Sequence, residues 1–226
     1  MPVACELSDP TSVRACVESV KRHGLELSGI VCNAGIMALP RLERAHGYEL
    51  QFFTNHVGHF LLVTGLLGAL SPTARVVMVS SALHRRAPAV GIDFDNLRAE
   101  RSYSGWEAYG RSKFANVLFA KQLARRFSGT ARTANAVHPG VVRTELQRHM
   151  PGVVSSAMTA IAPVLLKSVE QGAATQVYVA TRPELASVSG QFFADCNVAQ
   201  ARPDTDDVRL AEQLWEVSER IAREAA

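Results

Sequence analysis

Tyr109-Gly-Arg-Ser-Lys113-Phe-Ala-Asn-Val-Leu-Phe119 is the stretch of this 226-residue chain from which its fold can be worked out. Its apolar residues recur at helical spacing as far as Phe127, which predicts a helix that buries one face. Residues four apart lie on the same face of a helix, so the phenol of Tyr109 would stand beside the ammonium of Lys113. A fixed cation favours the phenolate, and we therefore expect the pKa of Tyr109 to be lowered, as general acid–base catalysis requires. Taken alone, this spacing also occurs in ordinary core helices.

The segments around this helix alternate between strand and helix patterns, the order typical of a parallel sheet covered by helices. Strands are predicted over residues 3–7, 29–32, 75–79, 133–137 and, as the last one, 191–194. Helices are predicted over about residues 42–70 and 206–225, with further helix starts at residues 8–12 and at Ser168. An amphipathic stretch is predicted over residues 151–166. The chain is therefore expected to have an α/β fold.

Composition limits the class of protein. With 47% hydrophobic and 20% charged residues, residues 1–226 can bury one sizeable core and are predicted to form a single domain. The net charge of +3 comes from scattered basic residues, which indicates a solvated surface and no nucleic-acid partner. The four cysteines lack metal-ligand spacing, so we expect reduced, mostly buried thiols in an intracellular, cytoplasmic protein. The longest apolar stretch, residues 57–70, is too short to span a bilayer, and no membrane segment is predicted.

Three predicted strands end in clusters of polar or small residues: Asn33-Ala34-Gly35, Ser80-Ser81, and Pro139-Gly140 with Thr144. Open parallel sheets bind ligands at the carboxyl ends of their strands, so these clusters are expected to share one rim with the Tyr109 helix. Successive strand residues point to opposite faces, so only one of the two serines is expected to face that rim. We favour Ser81, with Ser80 as the alternative.

The ordered set of these motifs resembles the short-chain dehydrogenase/reductase family. Four longer stretches resemble its retinol dehydrogenase-like branch: Asn55-His-Val-Gly-His-Phe-Leu-Leu62, Ser112-Lys-Phe-Ala-Asn-Val-Leu-Phe119, His138-Pro-Gly-Val-Val-Arg-Thr144 and Phe193-Ala-Asp-Cys196. The similarity extends over about residues 3–221. It implies a Rossmann-like, doubly wound parallel sheet. It also implies an oxidoreductase that transfers a hydride between a nicotinamide cofactor and an alcohol or carbonyl substrate.

The resemblance also implies roles for individual residues. Tyr109 would transfer a proton to or from the substrate oxygen, Ser81 would donate a hydrogen bond to that oxygen, and Lys113 would hold the nicotinamide ribose. Asn55 would orient a water that connects Lys113 to solvent, unless it is a helix residue satisfied locally. The implied cofactor-binding residues are Asn33, Ala34, Gly35, Tyr109, Lys113, Pro139, Gly140, Val142 and Thr144.

The family's glycine-rich turn, which binds the pyrophosphate at a helix N-terminus, has no counterpart in this sequence. We therefore expect an N-terminally truncated fold that lacks its first βαβα portion, with an unpaired edge on the strand at residues 29–32. Part of a longer protein, a natural shorter isoform and a chain completed by a partner are the alternatives. Residues that choose between NAD and NADP are missing with that portion. The resemblance favours NADP, and a longer parent could carry a membrane anchor.

Residues 145–166 stand where the family has its substrate lid, and their apolar character favours a retinoid-, steroid- or lipid-aldehyde-like substrate. The resemblance also implies a homodimer through the helices around Asn55 and Tyr109. One alternative is a non-catalytic, truncated family member that acts as a binding or regulatory protein. Another is an epimerase or dehydratase, which the short segment after Thr144 disfavours.

Four histidines need separate interpretations. His56 and His59 lie three apart and could ligate a metal, but no third ligand is apparent, so surface or core histidines are favoured and no metal site is predicted. His84 is expected in a loop, with a substrate contact as the alternative. His138 is expected to support the turn that begins at Pro139.

Overall fold

A computed structural model describes residues 1–142 and 167–225. Thr144, the predicted amphipathic stretch at residues 151–166 and the predicted lid at residues 145–166 lie outside the described residues. The described part is a mostly parallel sheet with helices on both faces. This confirms the predicted Rossmann-like α/β class.

The main sheet has five strands in the order β1-β4-β5-β6-β7. They are β1 Leu27–Cys32, β4 Leu70–Val79, β5 Thr133–His138, β6 Phe192–Ala194 and β7 Asn197–Ala199. The first four are parallel, and β7 runs antiparallel to β6. A separate hairpin consists of β2 Arg44–Ala45 and β3 Tyr48–Glu49. Strands β4 and β5 thus lie inside the sheet, where the carboxyl ends of three parallel strands meet at one rim.

The helices are α1 Pro10–Arg22, α2 Leu50–Phe52, α3 Gly58–Leu66, α4 Gly105–Arg126, α5 Val169–Thr181 and α6 Val208–Glu224. A π-helical turn, Phe53–Val57, joins α2 to α3, and a 3₁₀ turn, Ala82–Arg86, follows β4. Ser168 begins α5 through a capping box with Gln171, as its predicted helix start requires.

The alternation of side chains along β4 explains why helices cover both faces of the sheet. Val76 and Met78 point to one face, in a cluster with Phe60 and Val117 of α3 and α4. Val77 and Val79 point to the other face, in a cluster with Val179 of α5 and other residues. A strand buried on both faces reads as a continuous apolar run, which is the pattern that predicted it.

Three sequence predictions are wrong in detail. Residues 3–7 form no strand, because the chain there folds back on itself: Glu6 N–H donates to Ser12 Oγ at 2.9 Å, and Asp9 N–H donates to the Glu6 carbonyl at 3.1 Å. The helix predicted from residue 42 begins only at Leu50, because the β2–β3 hairpin precedes it and Glu49 caps α2. The strand at residues 191–194 is not the last, since β7 pairs with it.

Helix α4 is enclosed within the chain. Phe114 and Leu118 of α4 are fully buried and cluster with Leu214, Val217 and Ile221 of α6. This contact already covers the face of α4 next to the π-helical turn, and the homodimer through these helices stays a prediction. None of the helices in residues 1–142 and 167–225 is both long and apolar enough to cross a bilayer.

Candidate functional site

A cavity of about 640 Å³ opens at the carboxyl ends of β1, β4 and β5. Its size is typical of small-molecule sites. The predicted site residues that line it are Asn33, Ala34, Gly35, Ser81, Tyr109, Lys113, Pro139, Gly140 and Val142. The fold therefore brings together residues that the sequence spreads over more than 100 positions. Asn55 stands behind the cavity wall, and Thr144 is not described.

The two serines after β4 have different surroundings. The Ser80 hydroxyl is buried and donates to the Lys113 carbonyl at 2.7 Å, which ties the strand end to α4. The Ser81 hydroxyl forms a hydrogen bond with Tyr109 and also accepts the Leu83 amide at 3.2 Å. The geometry therefore places Ser81 beside the phenol and gives Ser80 a structural bond.

Tyr109 and Lys113 lie side by side on α4, as their spacing predicts. The Lys113 Nζ is 5.6 Å from the centroid of the Tyr109 ring. Burial raises the pKa of Tyr109 to about 12, and a hydrogen bond from Ser81 opposes that rise. The expectation of a lowered pKa for Tyr109 is therefore wrong for this structure, because desolvation of the phenolate outweighs the hydrogen bond from Ser81.

Lys113 is a buried ammonium whose N–H donors are only partly used by the protein. It donates to the Val79 carbonyl at 3.1 Å, and burial lowers its pKa to about 8. An ammonium has three N–H donors, and in residues 1–142 and 167–225 this carbonyl is its one hydrogen-bond acceptor. Because Lys113 also lines the cavity, its remaining donors fit vicinal hydroxyls such as those of a ribose. The residues present thus fit the nicotinamide side of a dinucleotide.

Asn55 holds the wall of the cavity through its side chain. Its amide donates to the Ile36 carbonyl and to Ser112 Oγ, both at 2.9 Å, and its Oδ1 accepts the Ile36 N–H at 2.8 Å. A Cβ on Gly35 would lie 2.7 Å from Asn55 Oδ1 and 3.5 Å from Lys113 Nζ, so only glycine fits there. Asn55 therefore positions the loop after β1 against α4, and its role toward a water stays a prediction.

Glycines shape the opposite wall. Gly140 has a φ of +87°, and a Cβ there would lie 2.7 Å from the Lys167 side chain. Gly172 on α5 lets that helix approach Val142, because an added Cβ would lie 2.4 Å from a Val142 methyl. The turn after β5 can therefore lie directly against the first turns of α5.

Much of the wall was not predicted. Met37, Leu83, Val141, Val169 and Ala173 make it largely apolar. Apart from Val141, which lies within the quoted stretch His138 to Thr144, these residues belong to no motif. Val169 and Ala173 come from α5, whose start at Ser168 was the only available signal. An apolar wall of this kind suits an apolar ligand.

Of the four histidines considered above, His56, His59 and His84 are buried, and His138 lines the cavity. Burial lowers the pKa of His56 to about 3 and that of His59 to about 4. No group of three or more metal-ligating side chains occurs in the described part of the chain. His84 is buried behind the cavity and His138 lines it, so the alternative of a substrate contact at His84 finds no support.

The chain has clear relatives. Residues 1–193 match the family model described as enoyl-(acyl carrier protein) reductase. Human retinol dehydrogenase 14 is 40% identical over 218 residues, which are 95% of this chain and 64% of that protein. The chloroplastic short-chain dehydrogenase TIC 32 A of Brassica napus is 39% identical over 222 residues, 94% of this chain and 69% of that protein. The chain thus spans about two thirds of the length of these relatives.

The fold also matches a solved structure. The 3-alpha-hydroxysteroid dehydrogenase from Pseudomonas sp. B-0831, complexed with NADH, superposes with a TM-score of 0.68. The match covers 84% of this chain and 80% of that one at 23% sequence identity. At that identity the likeness concerns the fold alone.

Proposed function

The chain belongs to the short-chain dehydrogenase/reductase family, and we propose that its cavity catalyses hydride transfer between a nicotinamide cofactor and an alcohol or carbonyl substrate. The observation that carries this proposal is the convergence of Ser81, Tyr109 and Lys113 in one cavity. The nearby backbone of Asn33 to Gly35 supports a nucleotide on the same rim. Asn55 supports the reaction by positioning that loop.

When bound, the nicotinamide ring supplies or accepts the hydride. The protein's part is to move the proton and to stabilise the charge on the substrate oxygen. Tyr109, which remains protonated at neutral pH because burial raises its pKa to about 12, is suited to donate its proton to a carbonyl oxygen. Ser81 adds a second donor where negative charge develops. Lys113 holds ribose hydroxyls and favours the phenolate left after proton transfer.

The substrate that we propose is an apolar alcohol or carbonyl compound of the retinoid type. The apolar wall made by Met37, Leu83, Val141 and Val169 supports this class. The identity of 40% with a protein named retinol dehydrogenase supports it independently. The preference for NADP over NAD and the part played by residues 145–166 as a lid belong to the same proposal.

A non-catalytic binding or regulatory role is the second candidate. It is favoured by one specific observation: Asn33 directly follows β1, which in the described residues is an edge strand paired with β4 alone. A strand that is paired on one side only has fewer hydrogen bonds to fix its end, and this would weaken nucleotide binding at Asn33. This candidate predicts saturable ligand binding without turnover.

The test is reduction of all-trans-retinal and of a long-chain aldehyde by the purified chain with NADPH and with NADH. Tyr109→Phe should lower kcat by about 10²- to 10⁴-fold, because it removes the transferable proton. Nucleotide affinity should change little. Tyr178→Phe on α5, whose ring lies beside Arg182 and outside the cavity lining, is the matched control and should keep wild-type turnover.

Equal turnover of wild type and Tyr109→Phe would overturn the proposed chemistry. Saturable nucleotide binding without turnover of any carbonyl would favour the non-catalytic candidate instead.

A further inference from the structure

The peptide unit that follows Ser81 is bonded at both of its polar atoms by histidine side chains. The Ser81 carbonyl accepts a hydrogen bond from His84 Nδ1 at 2.6 Å. The Ala82 N–H of the same peptide donates to His138 Nδ1 at 3.2 Å. We propose that His84 and His138 form an imidazole clamp on the Ser81–Ala82 peptide and act as positioning residues for the Ser81 hydroxyl. The inference rests on the proposed function, since it concerns the placement of a group in that site.

His84 is held as a neutral ring of one tautomer. A carbonyl oxygen only accepts, so Nδ1 carries the proton that it donates to Ser81. Its Nε2 accepts the Arg202 N–H at 3.0 Å and is therefore unprotonated. The ring is fully buried and packs edge-on against Phe192, with centroids 5.0 Å apart. Both nitrogens are thus committed.

Arg202 anchors the far side of the clamp. Its guanidinium donates to the Ala87 and Pro88 carbonyls at 2.7 and 2.8 Å. It also lies over the Phe114 ring of α4, 4.6 Å from the centroid. Arg202, which precedes α6, therefore binds the His84 ring through its backbone N–H and the residues that follow the 3₁₀ turn through its side chain.

His138 is held in the opposite tautomer. Because Nδ1 accepts a backbone N–H, it is unprotonated, and the neutral ring carries its proton on Nε2. His138 ends β5, one strand away from Ser81, and lines the cavity. The clamp thus joins the ends of two neighbouring strands on either side of one peptide.

The clamp matters because the Ser81 hydroxyl must point at the substrate oxygen. Strand β4 ends at Val79, and Ser81 already lies in the turn that follows it. A peptide that is bonded at one polar atom can still rotate and carry its side chain with it; here the Ser81 carbonyl also accepts the His84 backbone N–H at 3.0 Å. Fixing both polar atoms of the next peptide restricts that rotation, and a displacement of about 1 Å at a reacting group can cost about 100-fold in rate.

Protonation of His138 would break its bond to the clamped peptide, whereas protonation of His84 would break its bond to Arg202 and leave the Nδ1–H donor to Ser81 in place. A proton on His84 Nε2 would face the Arg202 N–H, and a proton on His138 Nδ1 would face the Ala82 N–H. The titratable neighbours of His84 are Arg85, Arg202 and the His138 ring, and those of His138 are Asp195 and Lys167. Burial is the largest influence on both rings and lowers the pKa of each, which favours the neutral form of both at neutral pH.

The first test is the tautomer of each ring, read from long-range ¹H–¹⁵N correlation spectra of the ¹⁵N-labelled chain at neutral pH. The clamp requires His84 protonated on Nδ1 and His138 protonated on Nε2. Assignment comes from the single variants His84→Phe and His138→Phe. The opposite tautomer at either ring, or a protonated His138 ring, would overturn the proposal, and this readout needs no turnover.

The second test separates positioning from general structural damage. His84→Phe and His138→Phe should each lower kcat by about 10- to 100-fold with little change in nucleotide affinity. His84→Asn keeps a donor and His138→Asn keeps an acceptor, so each should recover part of the lost kcat. His23→Phe, at an exposed position after α1, is the matched control.

Wild-type kcat in both phenylalanine variants would overturn the clamp as a positioning device. If instead the wild-type chain shows no turnover, the proposed function fails, and the tautomer measurement still decides whether the clamp exists.

Discussion

Strands β1 and β4 are neighbours in one ladder, yet they support the candidate site in different ways. Val31 of β1 is paired in register with Val77 of β4. Val31 is 46% exposed, whereas Val77 is completely buried. β4 has parallel partners on both sides, and in the described residues β1 has one on a single side.

The site follows the same division. The groups proposed to act on the substrate oxygen are Ser81, in the turn that follows β4, and Tyr109, on the enclosed helix α4. The residues proposed to contact the nucleotide, Asn33 to Gly35, stand at the end of the edge strand. The part of the site that contains Ser81 and Tyr109 is therefore supported by the buried core. The part that contains Asn33 to Gly35 depends on an exposed strand and on the bonds from Asn55 to Ile36 in the loop after it.

The largest expected effect separates the two halves by function. Ser81→Ala should lower kcat by about 10²- to 10³-fold with little change in nucleotide affinity, because it removes a donor to the developing oxyanion. Asn33→Ala should instead weaken nucleotide binding several-fold and leave kcat at saturation unchanged. Steady-state kinetics with nucleotide fluorescence titration measures both. The distinction between the halves breaks down if both variants change kcat and affinity alike.

The next effect separates the strands by stability. Val77→Ala should lower the free energy of unfolding by about 2 kcal/mol, because it leaves a cavity in a close-packed interior. Val31 is the register partner of Val77, and Val31→Ala removes the same two methyl groups. Because Val31 is exposed, this change should alter the free energy of unfolding by less than about 0.5 kcal/mol. Denaturant unfolding of the pair measures the difference. Equal losses would mean that the exposed face of β1 is covered in solution.

The smallest effect concerns the buried ammonium. Burial lowers the pKa of Lys113 from 10.5 to about 8, so between those values the unfolded state binds more protons and stability rises with pH. Lys113→Met removes the buried charge and should raise the free energy of unfolding at pH 7 by on the order of 1 kcal/mol. The advantage over wild type should shrink as the pH rises from 8 to 10.5.

Urea unfolding of wild type and variant across that pH range measures the effect. Burial raises the pKa of Cys32 to about 12, so this thiol also makes stability depend on pH at the alkaline end. Cys32 is present in both proteins, so the difference between their free energies of unfolding reports on Lys113. Lys21→Met on the exposed side of α1 is the control and should change stability by less than about 0.5 kcal/mol. A pH-independent difference for Lys113→Met would contradict the lowered pKa.

The sequence allowed the inner strands, α4 and most of the site to be predicted for physical reasons. A strand buried on both faces, such as β4, shows an uninterrupted apolar run. A helix such as α4 shows a 3.6-residue period. Because the carboxyl ends of parallel strands meet at one rim, the ends of predicted strands also identified where Ser81 and Gly140 would meet.

The remaining features depend on tertiary contacts that local patterns do not carry. Residues 3–7 have an apolar strand-like composition, but turn bonds hold them instead. The raised pKa of Tyr109 depends on how deeply α4 is covered by other elements. The apolar residues that α5 contributes to the cavity depend on the approach permitted by Gly172. The clamp by His84 and His138 joins residues 54 positions apart in sequence, and no motif connects them.

The most direct test of the account is transfer of deuterium from the reduced cofactor to the product. The wild-type chain is incubated with all-trans-retinal and with NADPH or NADH that carries deuterium at both hydrogen positions of nicotinamide C4, and the alcohol product is analysed by mass spectrometry. We expect one deuterium atom in each alcohol molecule formed by the wild-type chain, and formation of the same product by Tyr109→Phe at a rate about 10²- to 10⁴-fold lower. Alcohol without deuterium would contradict hydride transfer from the cofactor, and equal rates of alcohol formation by the two proteins would contradict the role of Tyr109.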